Sequence, residues 1–324
     1  MNDCIELKQD PASAIPEIYQ DLVNLDDYNF ITNVIKEFNQ VFRDKVRSKT
    51  ALRTVVGNAG VAITFSNKIP DPLAEAIKFF SEPVLKLKRL TPALHGLRTE
   101  SIHCKERLFD YIVEARQLIG LDDADEGVFS DFIGLINMIL SRIQQLDIEK
   151  PLQKIEVDVF GAYHPANGVV EIYWLPIAIF CKPLGLSMEA LTKVVLIHEL
   201  AHAFTHRGRD VNGNSWNTQA FYNSDPSLIE GLAQYYTAVV AKDISRDKKG
   251  PDSEFETYEL LMKFQNDVYK GHLAWLDLDQ TLVGEAIRFS LLEIRQRTNG
   301  AGYDEFTDLL KINLNRLRAQ SFNS

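Results

Sequence analysis

Cysteine, positive charge and long apolar runs are all scarce in this 324-residue chain. Its three cysteines, Cys4, Cys104 and Cys181, stand far apart with no CxxC pairing. They suit a reducing compartment, each thiol packed as a small hydrophobe, so a cytoplasmic protein is expected. The formal net charge of -10 argues against a dedicated nucleic-acid binder, which needs a basic face to displace counterions from phosphates. The most apolar stretch, IYWLPIAIFC from Ile172 to Cys181, is too short to span a bilayer and is broken by Pro176, so no membrane segment is expected. The first residues, MNDCIELKQDP, carry acids and no apolar core, unlike a secretory signal. Internal repeats and low-complexity tracts are also missing.

What remains is ordinary globular composition, 45% hydrophobic and 25% charged, in a chain long enough for one large domain or two smaller ones. Phe30, Val34, Phe38 and Val41 or Phe42 recur at helical spacing; so do Ile102, Leu108, Ile112, Ala115 and Leu118. Phe132, Leu135, Ile136, Ile139, Leu140 and Ile143 form a third such run. Between the first two, Val55-Val56 and Val61–Phe65 flank Gly57-Asn58-Ala59-Gly60 and suggest a short hairpin. The texture changes at 146–152. Ile155, Val157 and Val159 alternate with acids as in a strand, a turn-rich GAYHPANG follows, and Val169–Trp174 reads as a second strand. Helices are expected at 187–207, 226–242, 253–270, 280–298 and 302–318. The expected architecture is mainly α with a small β-sheet (α+β). Residues 1–150 would form a helical N-terminal region of unknown role, with a protein partner as one use for its helices. Residues 151–324 would form the second domain.

The chemistry concentrates in SMEALTKVVLIHELAHAFTHRG, 187–208, which Ser187 caps and Gly208 stops. His198 and His202 are four residues apart on one helix face, where both imidazoles reach a single ion. Glu199 lies about 100° round from His198, beside such an ion and placed to take a proton from its water. Apolar residues surround the three, so the helix is expected to be buried, where two histidines and a glutamate need partners that a metal supplies.

A catalytic zinc takes three protein ligands and leaves one position for water. Glu230, in DPSLIEGLAQYYTA, is the candidate third ligand. Asp225 and Pro226 suit the start of its helix, and Gly231 suggests close approach of another backbone. The competing reading of Glu230 is a capping box, Ser227-x-x-Glu230. His206 is the rival ligand, but it stands about 12 Å along the helix from His198, which suits a residue at the rim or behind the ligands.

HELAH followed by EGLAQYY resembles the gluzincin group of zinc metallopeptidases, over about 161–238. The resemblance implies a zincin-like domain in 151–324, with zinc on His198, His202 and Glu230 and Glu199 as general base. It also implies that GAYHPANGVVEIYW contains the edge strand above the zinc helix. Gln234 stands where the family often has an Asp or Asn holding a ligand histidine. The family's transition-state Tyr or His has His272, Tyr258, Tyr269 and Tyr303 as candidates, while Tyr235 and Tyr236 point away from Glu230. The E-x-x-A spacing is also similar to intracellular repressor-cleaving metalloproteases. The expected function is a zinc hydrolase of peptides or proteins, the peptide lying along 169–174. A zinc hydrolase of non-peptide amides or esters and an inactive zinc scaffold are the alternatives.

Other signals carry less. Lys86, Lys88 and Arg89 read as a solvated face, and GNAG lacks the Gly-Lys-Ser/Thr of a phosphate loop. Asp122–Gly127 fails as a calcium loop because Ala124 and Ile133 occupy ligand positions. His103-Cys104 lacks a second pair, and Trp174 and Trp216 are expected in the core.

Overall fold

A computed structural model describes residues 5–7, 23–54, 60–71, 73–74, 95–96, 99, 133–140, 159–184, 186–246, 248, 252–278 and 281–321. The chain forms two compact units. One joins residues 1–73 to 152–324, and the other comprises 74–151. The break expected near 150 is thus one edge of an inserted unit, and the first 73 residues belong with the HELAH segment. In the inserted unit the helical stretch 133–140 buries Ile136 and Leu140 and exposes Leu135. The periodic run 102–118, the strand expected at 155–159 (apart from Val159), Lys86, Lys88, Arg89, His103 and Cys104 lie outside the described residues.

The larger unit is mainly helical, with a four-stranded sheet in the order β1 (Ile5–Leu7), β2 (Ala62–Ser66), β4 (Val169–Tyr173), β3 (Gly161–His164). β2 pairs in parallel with β1 on one side and with β4 on the other. Both of its edges are therefore occupied, which leaves no place for the hairpin expected around Gly57–Gly60. β3 and β4 form an antiparallel pair with Gly161 opposite Ile172 and His164 opposite Val169. Half of the stretch read as turn-rich is therefore strand, and β4, read as the peptide-binding edge, is interior. β3 holds the edge.

α1 (Leu25–Thr50) starts from a capping box between Asn24 and Asp27. It buries Ile31, Ile35, Phe42 and Val46 while Phe30 and Val41 face solvent, so the core face is turned by one position from the expected one. α1 packs on α3 (Met188–Arg207), so its apolar face is already used within this unit. The chain after α1 is pinned beside the end of α3, where Arg53 and Arg209 exchange backbone hydrogen bonds of 2.9 and 2.7 Å.

α2 (Trp174–Leu184) carries most of the apolar stretch from Ile172 to Cys181. Pro176 does not break it, because it sits in the first turn, where the missing N–H costs no helix bond. Trp174 and Phe180 are fully buried, and Cys181 is buried with its thiol on Ala178 C=O. Among the described residues no helix is long and apolar enough to cross a membrane.

α3 is the central element, with α1, α2, β3, β4, α5 (Pro226–Ile244) and α6 (Glu254–Phe264) against it. Every residue from Ala190 to His206 is buried. Ser187 caps its start, and Gly208 ends it with an N–H returned to Phe204 C=O. The short α4 (Thr218–Tyr222) follows, then α5. Beyond α6 come a 3-10 turn (Asp267–Lys270), α7 (Leu273–Leu276), α8 (Val283–Ile294) and α9 (Tyr303–Ser321). The helix expected over 253–270 is thus interrupted after Phe264.

α6 is held by buried charge. Glu254 accepts from Lys248 at 2.8 Å, from Ser245 Oγ at 3.0 Å and from Lys193 of α3 at 3.3 Å. Lys193 also lies over the Phe38 ring of α1, 3.7 Å from its centroid. A fully bonded carboxylate of this kind fixes a helix position well, because losing one partner strands a buried charge.

Candidate metal centre

One turn of α3 sets His198 and His202 side by side, with Nε2 atoms 3.1 Å apart. Glu230 of α5 faces them, its Oε2 lying 3.5 Å from His198 Nε2 and 3.3 Å from His202 Nε2. Among the described residues these three are the group of His, Cys, Asp or Glu side chains arranged to hold one ion. Donor atoms on a tetrahedral zinc, each about 2.0–2.1 Å from it, sit about 3.3 Å from one another. The observed separations match that spacing on all three sides, so the donor set fits zinc in both chemistry and size. Burial raises the Glu230 pKa, but the charge of His202 and bonding to both imidazoles outweigh it and hold the carboxyl at about 2.

The start of α5 decides between the two readings of Glu230. The N-cap is Asp225, which accepts from Ser227 N–H at 2.8 Å, and Pro226 opens the helix. Ser227 is therefore inside the helix, and Glu230 stands too far along to close a capping box. Gly231 is explained differently from the sequence expectation. A Cβ there would fall 3.0 Å from the Trp275 ring and 3.7 Å from His272 N, so the close approach is with α7 and not with α3.

Glu199 is 1% exposed, and its carboxyl lies against β3. A Cβ on Gly161 would meet Glu199 Oε1 at 2.9 Å, so only glycine lets the strand run this close. The sequence held a usable sign of this, a glycine followed by strand-like residues, but it read as part of a turn. His198 and Glu199 line a cleft with Phe160, Gln234, Tyr258 and Tyr269.

The remaining candidates are placed as follows. His206 does not join the donors. Its Nδ1 is bonded to Tyr163 OH at 2.8 Å and its Nε2 to Thr218 Oγ1 at 3.2 Å. Burial, followed by Arg207 and Arg295, lowers its pKa to about 4, so it is neutral at pH 7. It is a buried tie between α3, β3 and α4 rather than a rim residue. Tyr163 and Thr218, its partners, were not foreseen. Gln234 donates to Gln265 Oε1 at 3.0 Å, not to a ligand histidine.

His272 is fully buried. Its Nδ1 donates to Tyr269 C=O at 3.0 Å, so its Nε2 is the acceptor and takes the proton of Tyr258 OH. Burial lowers its pKa to about 4. Tyr258 thus commits its hydroxyl proton to His272. Tyr303 stacks on Trp275 and donates to Gly271 C=O at 2.7 Å, away from the donors. Of the four transition-state candidates, Tyr269 alone lines the cleft without one of these commitments. Tyr235 and Tyr236 belong to the apolar core with Trp216 and Trp275.

No family model matches the chain, and no similar curated protein or solved structure is found for it.

Proposed function

We propose that the chain is a zinc-dependent hydrolase of peptide bonds. The observation carrying this is the triangle of His198, His202 and Glu230 donor atoms, 3.1–3.5 Å on a side, with Glu199 beside it in an open cleft. His198, His202 and Glu230 would hold the metal. Zinc bound there makes a water acidic enough to ionise near neutral pH and polarises a carbonyl.

The protein's own residues then do the positioning and the proton transfer. Glu199 accepts the proton of the attacking water and delivers it to the leaving amine. The edge strand supplies the place for substrate backbone. Tyr173 N–H donates to Phe160 C=O at 2.9 Å, and the alternation of an antiparallel pair from that bond turns the backbone groups of Gly161 and Tyr163 to the free edge. An extended peptide adds to that edge by the same hydrogen bonds that build a sheet. This replaces the position along 169–174, where both strand edges are filled. A base in the cleft favours hydrolysis over an inert scaffold, because a structural site has no use for one. The unpaired spacing of the cysteines supports a cytoplasmic setting for this activity.

Elemental analysis of protein purified without added metal, followed by mass-spectrometric profiling of a peptide library, tests the proposal. One zinc per chain and discrete peptide cleavage are expected. A folded, metal-free preparation that takes up no zinc would remove it.

A further inference from the structure

The three donors stand between two clefts. His198 and Glu199 face the first, whose apolar walls include Phe160, Phe180, Val195 and Met262. His202 and Glu230 face the second, which is lined by Tyr163, Phe221, Tyr222 and Ile229. The edge strand runs past both, since Gly161 borders the first and Tyr163 the second. Two residues of strand cover about 6.6 Å, so a peptide paired with this edge passes from one cleft to the other across the donors.

Neither cleft has a lysine, arginine or aspartate among its described lining residues, and their only acids are Glu199 and Glu230. An enzyme that trims chain ends must take a terminal ammonium or carboxylate out of water, which requires an opposite charge to receive it. Both acids here are engaged at the donors, and neither cleft offers a cation. What the walls offer is apolar surface, including an exposed Tyr222 ring beside Glu230.

We infer that this site cuts within an extended peptide, with a large apolar side chain seated on each side of the scissile bond and with no recognition of either chain end. The inference rests on the peptidase reading and specifies its substrate. Both clefts are needed for cleavage, because each holds one of the residues flanking the bond against the edge strand.

Binding tests it without turnover. The zinc-loaded Glu199→Gln full-length chain is titrated with fluorescent eight-residue peptides carrying Phe or Leu at both central positions, either with free ends or acetylated and amidated. Equal affinity within about twofold is expected for capped and free peptides. A loss of tenfold or more is expected when either central residue becomes Asp. In parallel, the wild-type enzyme should cut the capped peptides internally. Affinity or cleavage that disappears on capping one end, or products trimmed only from a free end, would overturn the inference and leave the peptidase reading standing. Zinc-loaded enzyme that neither binds nor cuts any peptide, capped or free, would overturn both.

Discussion

Gly161 of the edge strand lies directly against the carboxyl of Glu199: a Cβ at the glycine would fall 2.9 Å from Oε1 and 3.0 Å from Cγ. The strand that receives the substrate backbone therefore also sets the position of the proposed base. Gly161→Ala should push the carboxyl aside by a few tenths of an ångström. Small misplacements of catalytic groups are costly, so kcat should fall by roughly tenfold to a hundredfold. Zinc content and melting temperature should change little. Unaltered kcat would show that the contact does not position Glu199.

Glu199→Gln should abolish peptide hydrolysis and leave zinc in place. The amide matches the carboxylate in shape but does not accept the water's proton, and Glu199 is not among the three converging donors. Steady-state assays together with metal analysis check this. Full activity would mean that another group is the base, and lost zinc would mean that Glu199 helps to hold it.

Glu230 and Asp225 separate ligation from capping within one helix. Glu230→Gln replaces a carboxylate by a poor zinc ligand, and zinc affinity should fall on the order of a hundredfold or more in competition against a chelator. Asp225→Ala removes the cap bond to Ser227 N–H and should cost about 1 kcal/mol of stability with zinc affinity nearly unchanged. Equal zinc affinity in wild type and Glu230→Gln would exclude Glu230 as the third ligand.

His206 gives a pH signature. Its folded pKa, about 4, lies below its ordinary value, so on acidification the unfolded chain binds the proton first. Its contribution to stability is therefore full above about 6.5 and is lost as the pH falls from there towards 4. Chemical denaturation at pH 7 and at pH 4.5 should show a smaller difference for His206→Gln than for wild type. An identical difference would place the acid sensitivity elsewhere.

The amino-acid sequence by itself determined the local features of this protein. His198 and His202 at a four-residue interval share a helix face wherever that helix lies. Asp225-Pro226 starts a helix from its own side-chain and ring geometry, and the apolar residues of α3 require burial. Tertiary structure decided whatever depends on partners distant in the chain. Gly161 became a contact of Glu199 because β3 runs across α3, and Gly231 made room for Trp275 instead of the histidine helix. Gln234 found Gln265, and Tyr258 gave its proton to His272, since α6 and α7 fold back over α5. Residues 1–73 joined the unit of the HELAH helix because α1 needed an apolar face to cover and β2 needed a neighbour on each edge. Periodicity shows that a face is apolar, but which surface it will meet is settled only when the chain is packed.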